Sequence, residues 1–133
     1  MILSLETSTN VCSVAIHEIE NGHLINHLES HLDKAHSAWL TLLIEQAVKF
    51  SGRNMQDIQA VAVSAGPGSY TGLRIGVSVA KGICYGLEIP LLSVNPLEAM
   101  THEVTAYFTD SRFVYCPMLD ARRMEVYTAC YTH

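Results

Sequence analysis

The sequence predicts an α/β lobe in which a mixed sheet is covered by helices. Three observations carry that expectation. The chain opens with β-rich runs separated by turn residues, apolar residues switch to helical spacing after about residue 37, and a nearly continuous apolar run from Ile58 to Ser64 ends in a glycine-rich break. With 133 residues, 49% of them hydrophobic and 16% charged, there is material for one core and no reason for disorder.

Ile2 to Leu5 reads as a strand, Thr7-Ser8-Thr9-Asn10 as a turn, and Val11 to Ile19 as a returning strand. Asn21-Gly22 predicts a tight primed turn, because both residues tolerate positive φ. His23 to Ser30 then forms a third strand with Leu24 and Leu28 on one face. Leu40, Leu43, Ile44, Ala47 and Phe50 recur at helical spacing, with Ser37 as N-cap and Gly52 at the end, so a helix is expected over roughly Ser37 to Ser51.

The run from Ile58 to Ser64 suits a central parallel strand covered on both faces. A second helix follows from about Thr71 to Tyr85, a short strand from Pro90 to Val94, and a third helix from Pro96 to about Val104, with proline at its first position. The order βββαβαβα is that of a ribonuclease-H-like or actin-like lobe, and it fills residues 1–109. From residue 110 to 133 the texture changes. Phe113 to Leu119 and Met124 to Tyr131 predict a β-hairpin joined by Asp120-Ala121-Arg122-Arg123.

Composition narrows the function classes. Eight Lys and Arg against thirteen Asp and Glu leave a net charge of −5, which gives no basic footprint for gripping a phosphate backbone unaided. Apolar runs stop well short of the ~18 residues of a membrane helix. The opening residues carry no basic flank or small-residue cleavage site, so a cytoplasmic location is expected. Cys12, Cys84, Cys116 and Cys130 show no metal or redox spacing and predict four free thiols, with Cys12, Cys84 and Cys130 packing as small hydrophobes.

This lobe serves many chemistries, so the site residues must decide. A two-metal nuclease needs several carboxylates at adjacent strand ends. Glu6 closes the first strand, but the fourth ends in Val63-Ser64-Ala65-Gly66, and Glu45 suits a solvated helix face. His23, His27 and His31 lie four apart, about 13 Å per step in a strand, too far for one ion to join neighbours. His36 is expected beside a helix start, and His102 and Glu103 on a helix surface. No metal site and no catalytic residue is predicted.

The stretch Ser64-Ala65-Gly66-Pro67-Gly68-Ser69-Tyr70-Thr71-Gly72 admits two readings: a sharp strand-to-helix turn, or a phosphate seat formed with Thr7-Ser8-Thr9. It lacks the endings of a P-loop and of a dinucleotide fingerprint. On the second reading Thr7, Ser8, Gly66, Gly68 and Ser69 hold the phosphates. Gly72, Gly76 and Ala80 recur at i, i+4 and i+8 and predict a smooth helix face that a second backbone approaches, either the chain's own sheet or another chain.

The residues Ile2 to Thr9, then Cys12-Ser13-Val14-Ala15, the block Gly66 to Gly76, and Ala80-Lys81-Gly82 resemble the TsaB (YeaZ) family, implicated in N6-threonylcarbamoyladenosine (t6A) modification of tRNA. Pro117 to Arg122 and Glu125-Val126-Tyr127 resemble the start of that family's second lobe, which implies a chain truncated after the opening hairpin. The resemblance implies a non-catalytic partner that activates the catalytic paralogue TsaD, with TsaE as an ATPase partner, tRNA engaged only through the complex, and homodimers in isolation. Where TsaD carries metal-binding histidines, this sequence reads Asn95-Pro96-Leu97-Glu98-Ala99-Met100, and neither proline nor methionine can replace an imidazole there. The resemblance also assigns the pairing surface to the first two helices, with Gly72, Ile75, Gly76 and Val79 central. It implies no required cofactor and leaves weak ATP or ADP binding as the alternative function; Glu6, where aspartate is common in the family, weighs against a Mg-nucleotide site.

Overall fold

In the computed structural model, which describes residues 1–31, 36–108 and 110–132, a five-stranded sheet forms the centre of the chain. Its strands are β1 (Ile2–Glu6), β2 (Cys12–His17), β3 (Leu24–Ser30), β4 (Ala60–Ser64) and β5 (Leu91–Val94), in the spatial order β3-β2-β1-β4-β5. β1 to β3 pair antiparallel, and β4 pairs parallel with β1 and β5. Strand alternation selects the core face: Leu3, Leu5, Cys12, Val14 and Ile16 are all buried. The helices α1 (His36–Phe50) and α2 (Tyr70–Leu87) pack on the sheet and on each other, and Leu40, Ile44, Ala47 and Ala80 complete the core. A third helix, α3 (Pro96–Thr105), follows β5, capped by Asn95 Oδ1, which accepts from the Leu97 amide. The expected order βββαβαβα is the order observed, with one extra 3-10 turn at Met55–Asp57 before β4.

Local boundaries differ from expectation for identifiable reasons. The β2–β3 connection is a loop from Glu18 to His23 and not a two-residue primed turn. Only Gly22 takes a positive φ, its amide donates to Glu18 O at 3.0 Å, and the Glu18 amide donates to His23 O at 2.9 Å. Ile19 and His23 therefore lie in the loop. Ser37 is inside the first turn of α1 and is not its N-cap; the residues before His36, and the His36 side chain, lie outside those described. The helix does end before Gly52, whose φ is +69°. α2 starts at Tyr70 and runs two residues past Tyr85, to a left-handed terminus at Glu88 (φ 56°, ψ 41°) where glycine is the usual residue. Replacing Glu88 by Gly is expected to stabilise the chain by about 1 kcal/mol and raise its melting temperature by a few degrees in a circular-dichroism melt.

The C-terminal hairpin is longer and turns later than expected. It has two ladders, β6 (Val114–Tyr115) with β9 (Tyr131–Thr132) and β7 (Met118–Arg122) with β8 (Glu125–Thr128). Asp120, Ala121 and Arg122 belong to strand β7, and the turn is made by Arg123 and Met124. Arg122, Arg123 and Met124 all take positive φ, so no glycine or asparagine marks the turn in the sequence. Phe113, Val114, Met118, Val126 and Tyr127 of this region are exposed, and Cys130 is exposed as well, contrary to its expected packing as a small hydrophobe.

Candidate functional site

The ends of β1 and β4 adjoin because the strands are parallel neighbours, so the turn after each meets the other. Glu6 at the tip of β1 ties them together. One carboxylate oxygen accepts from the Ser8 amide at 2.6 Å, and the other accepts from the Ser64 hydroxyl at the end of β4. Burial raises the neighbouring Cys12 thiol above its ordinary pKa, and the Glu6 charge adds to this, which keeps that thiol protonated and inert. The glycine-rich turn lies directly on the first loop. The Ser69 amide donates to Ser8 O at 2.6 Å, and a Cβ on Gly68 would come within 2.5 Å of the same oxygen.

The helix that follows is seated on Thr7. Gly72, Gly76, Ala80 and Cys84 form the buried stripe of α2. A Cβ on Gly72 would overlap the Thr7 carbonyl oxygen, and one on Gly76 would overlap the Thr7 hydroxyl. This corrects the expectation that Gly72 and Gly76 are central to a contact with another chain: the backbone they admit is the chain's own β1 turn. Ile75 and Val79, expected beside them, are half-buried against the core. The Thr7 hydroxyl is fully buried and, among the described residues, has no hydrogen-bond partner, because it faces the bare helix backbone at Gly76.

A cavity of about 710 Å³ opens between the two loops and the hairpin. Ser8, Gly68 and Ser69 line it; of the residues assigned to a phosphate seat, Thr7 and Gly66 do not. The opposite wall is Leu119, Asp120, Ala121, Arg122 and Tyr127, none of which the sequence singled out as site residues. Three amides of the two loops are already engaged: Ser8 N donates to Glu6, Ser69 N to Ser8 O, and Gly72 N to the Ser69 hydroxyl at 3.4 Å.

The histidines are dispersed. His27 lies on edge strand β3, and His23 and His31 flank that strand. Glu29 sits between two of them, 2.8 Å from His31 Nε2 and 3.7 Å from His27 Nε2. The hydrogen bond from His31 holds the Glu29 carboxyl below its ordinary pKa. On β2, burial lowers the His17 pKa, with His27 adding to the shift. His102 and Glu98 form an exposed i,i+4 pair on α3, and Glu45 and Glu103 face solvent. Among the described residues no group of three or more His, Cys, Asp or Glu is placed to hold a metal ion. Pro96 is buried at the first position of α3 and Met100 is exposed on the same helix, so the segment Asn95 to Met100 serves here as a helix start.

The outer face of α2 is the feature the sequence reading missed. Ser78, Gly82 and Gly86 form a second small-residue stripe, exposed and flanked by Tyr85, which is 89% exposed. Among the described residues, a Cβ at Gly82 or Gly86 would meet nothing within 4 Å. Trp39, Leu42 and Phe50 of α1 are exposed too.

Comparison with known proteins agrees with this architecture. A family model described as "TsaD: tRNA N6-adenosine threonylcarbamoyltransferase" matches residues 24–133. The Escherichia coli "tRNA threonylcarbamoyladenosine biosynthesis protein TsaB" is 35% identical over 130 residues, 98% of this chain and 54% of that protein. The Bacillus subtilis protein of the same name is 32% identical over 132 residues, 99% of this chain and 55% of that protein. A crystal structure from Pseudomonas aeruginosa, described as an uncharacterized protein with similarity to peptidase YEAZ, superposes with a TM-score of 0.86 at 28% identity, covering 99% of this chain and 59% of the other. The chain thus spans about half the length of the curated relatives it matches. By fold, by family model and by relatives matched over nearly its whole length, the chain belongs to the TsaD family and, within it, to the TsaB (YeaZ) group.

Proposed function

We propose that this chain is a non-catalytic partner in t6A modification of tRNA, binding and activating the catalytic paralogue TsaD in the cytoplasm. The observation that carries the reading is the segment Asn95 to Met100. Pro96 and Met100 stand where the paralogue's motif has imidazoles, and Pro96 is committed to starting α3. The relatives' names supply the process, and the match to the transferase family model supports pairing between two like lobes. The pairing surface is the outer face of α2, with Ser78, Gly82, Tyr85 and Gly86 presented and Ile75 and Val79 at its border. The same face pairs two copies of the chain in this reading when TsaD is absent. TsaE and tRNA join through the complex, in keeping with a net charge of −5.

The alternative, weak ATP or ADP binding at the β1 and β4 loops, has in its favour the cavity that Ser8, Gly68 and Ser69 line. The Ser8 and Ser69 amides, which are engaged within the chain, weigh against it. Reconstitution of threonylcarbamoyl transfer with TsaD, TsaE and the threonylcarbamoyl adenylate tests the main reading: adding the full-length protein should stimulate transfer at least tenfold, and no stimulation would remove it. Calorimetry with Mg-ATP on the isolated protein tests the other, for which submillimolar binding is the required result.

A further inference from the structure

Cys116 and Cys130 stand apart from the other two cysteines. Cys12 and Cys84 are buried, whereas these two are exposed, and their sulfurs lie 3.5 Å apart. Backbone register sets the contact. Pairing of β6 with β9 puts Val114 opposite Thr132 and Tyr115 opposite Tyr131, and pairing of β7 with β8 puts Met118 opposite Thr128. The two ladders share one register, which sets Cys116 opposite Cys130 in the gap between them. Pro117 sits in that gap and has no N–H to give to a ladder. Directly opposed residues of an antiparallel pair have Cα atoms about 4.5–5.5 Å apart, inside the ~4.4–6.8 Å that a disulfide spans. Closing the bond needs side-chain rotation and no backbone movement.

We propose that Cys116 and Cys130 are a reversible dithiol–disulfide pair, oxidised by a low-molecular-weight disulfide and reduced by the corresponding thiol, that staples the hairpin at the gap in its ladder. In the first step one cysteine thiolate attacks a sulfur of the small disulfide; its S–S bond breaks, and one small thiolate leaves and takes up a proton. The second cysteine, as thiolate, then attacks the protein sulfur of the mixed disulfide and expels the other small thiolate. Two protein thiols lose two electrons and two protons, and the small disulfide gains both as two thiols. The stapled segment carries Leu119, Asp120, Arg122 and Tyr127, which form one wall of the cavity, so oxidation fixes that wall relative to β6 and β9. The pair is independent of the role proposed for the α2 surface.

The test uses the full chain, incubated with glutathione disulfide at graded ratios to reduced glutathione, quenched by alkylation and mapped by mass spectrometry. The expected result is a chain that loses two of its four thiols without gaining an intermolecular disulfide, with peptides joined through Cys116 and Cys130 while Cys12 and Cys84 remain alkylatable after denaturation. Amide exchange over residues 118–128 should slow about tenfold on oxidation. Cys116→Ser should abolish both effects and leave Cys130 as a glutathione mixed disulfide. Disulfide-linked dimers, a mixed disulfide that persists in the unsubstituted chain, or unchanged exchange in the oxidised hairpin would overturn the proposal.

Discussion

Gly72→Ala is expected to destabilise the chain by about 3 kcal/mol or more, a large part of the ~5–15 kcal/mol that holds a domain of this size together. The sign is informative, because helix propensity alone favours alanine over glycine by ~1 kcal/mol. The added Cβ meets a backbone carbonyl, that of Thr7, which cannot rotate away while β1 stays paired on both sides with β2 and β4. Either α2 lifts off the sheet or the β1 turn unwinds. A circular-dichroism melt should show a fall of roughly 10 °C; a melting temperature equal to that of the parent chain would show that α2 is not seated on Thr7. Gly76→Ala should cost less, because the atom it meets is the Thr7 hydroxyl, which can turn about its Cα–Cβ bond.

Gly82→Arg, ten residues along the same helix, is expected to do the reverse. None of the described residues lies within 4 Å of a Cβ built there, and arginine is the better helix former, so the melting temperature should hold or rise slightly. Co-purification with TsaD should fall at least tenfold, since a long charged side chain would stand where the proposed contact needs a close backbone approach. Undiminished co-purification by a folded variant would remove the outer face of α2 from the interface. The two substitutions together separate loss of fold from loss of assembly. A large substitution at Gly76 cannot do so, because that position faces inward.

The contrast between those two glycine stripes also shows what the sequence carried and what it did not. The β-rich runs at Ile2 to Leu5 and Val11 to Ile19, the apolar run of β4 and the proline at the start of α3 made the sheet and its helices legible, because each is a local pattern. The spacing of Gly72, Gly76 and Ala80 correctly announced a close backbone approach. It could not say which backbone, since an inward stripe and an outward one have the same period; Ser78, Gly82 and Gly86 repeat at the same interval on the other side. Of the residues assigned to the loops, Ser8, Gly68 and Ser69 do gather at one cavity, but its far wall, Leu119 to Tyr127, belongs to the distant hairpin and left no local signal. The hairpin was misplaced for a different reason. Its turn uses Arg123 and Met124 at positive φ, whereas sequence preference points to Asn, Asp or Gly. A turn centred on Ala121 and Arg122 would set Cys116 opposite Tyr127, so that small error in centring hid the cysteine pair.

The seat of α2 on Thr7 has a mechanical consequence. A helix packed only through interdigitated side chains can slide or roll by fractions of its 5.4 Å pitch at modest cost. Here a peptide carbonyl and a hydroxyl of the β1 turn are notched into the bare backbone at Gly72 and Gly76, and the Ser69 amide is hooked to Ser8 just ahead of them. The helix is thereby indexed, in translation and in rotation, to the central strand of the sheet. Any partner that grips its outer side takes hold of the sheet as well, and a displacement at Thr7 and Ser8 is delivered to that side as a rigid tilt.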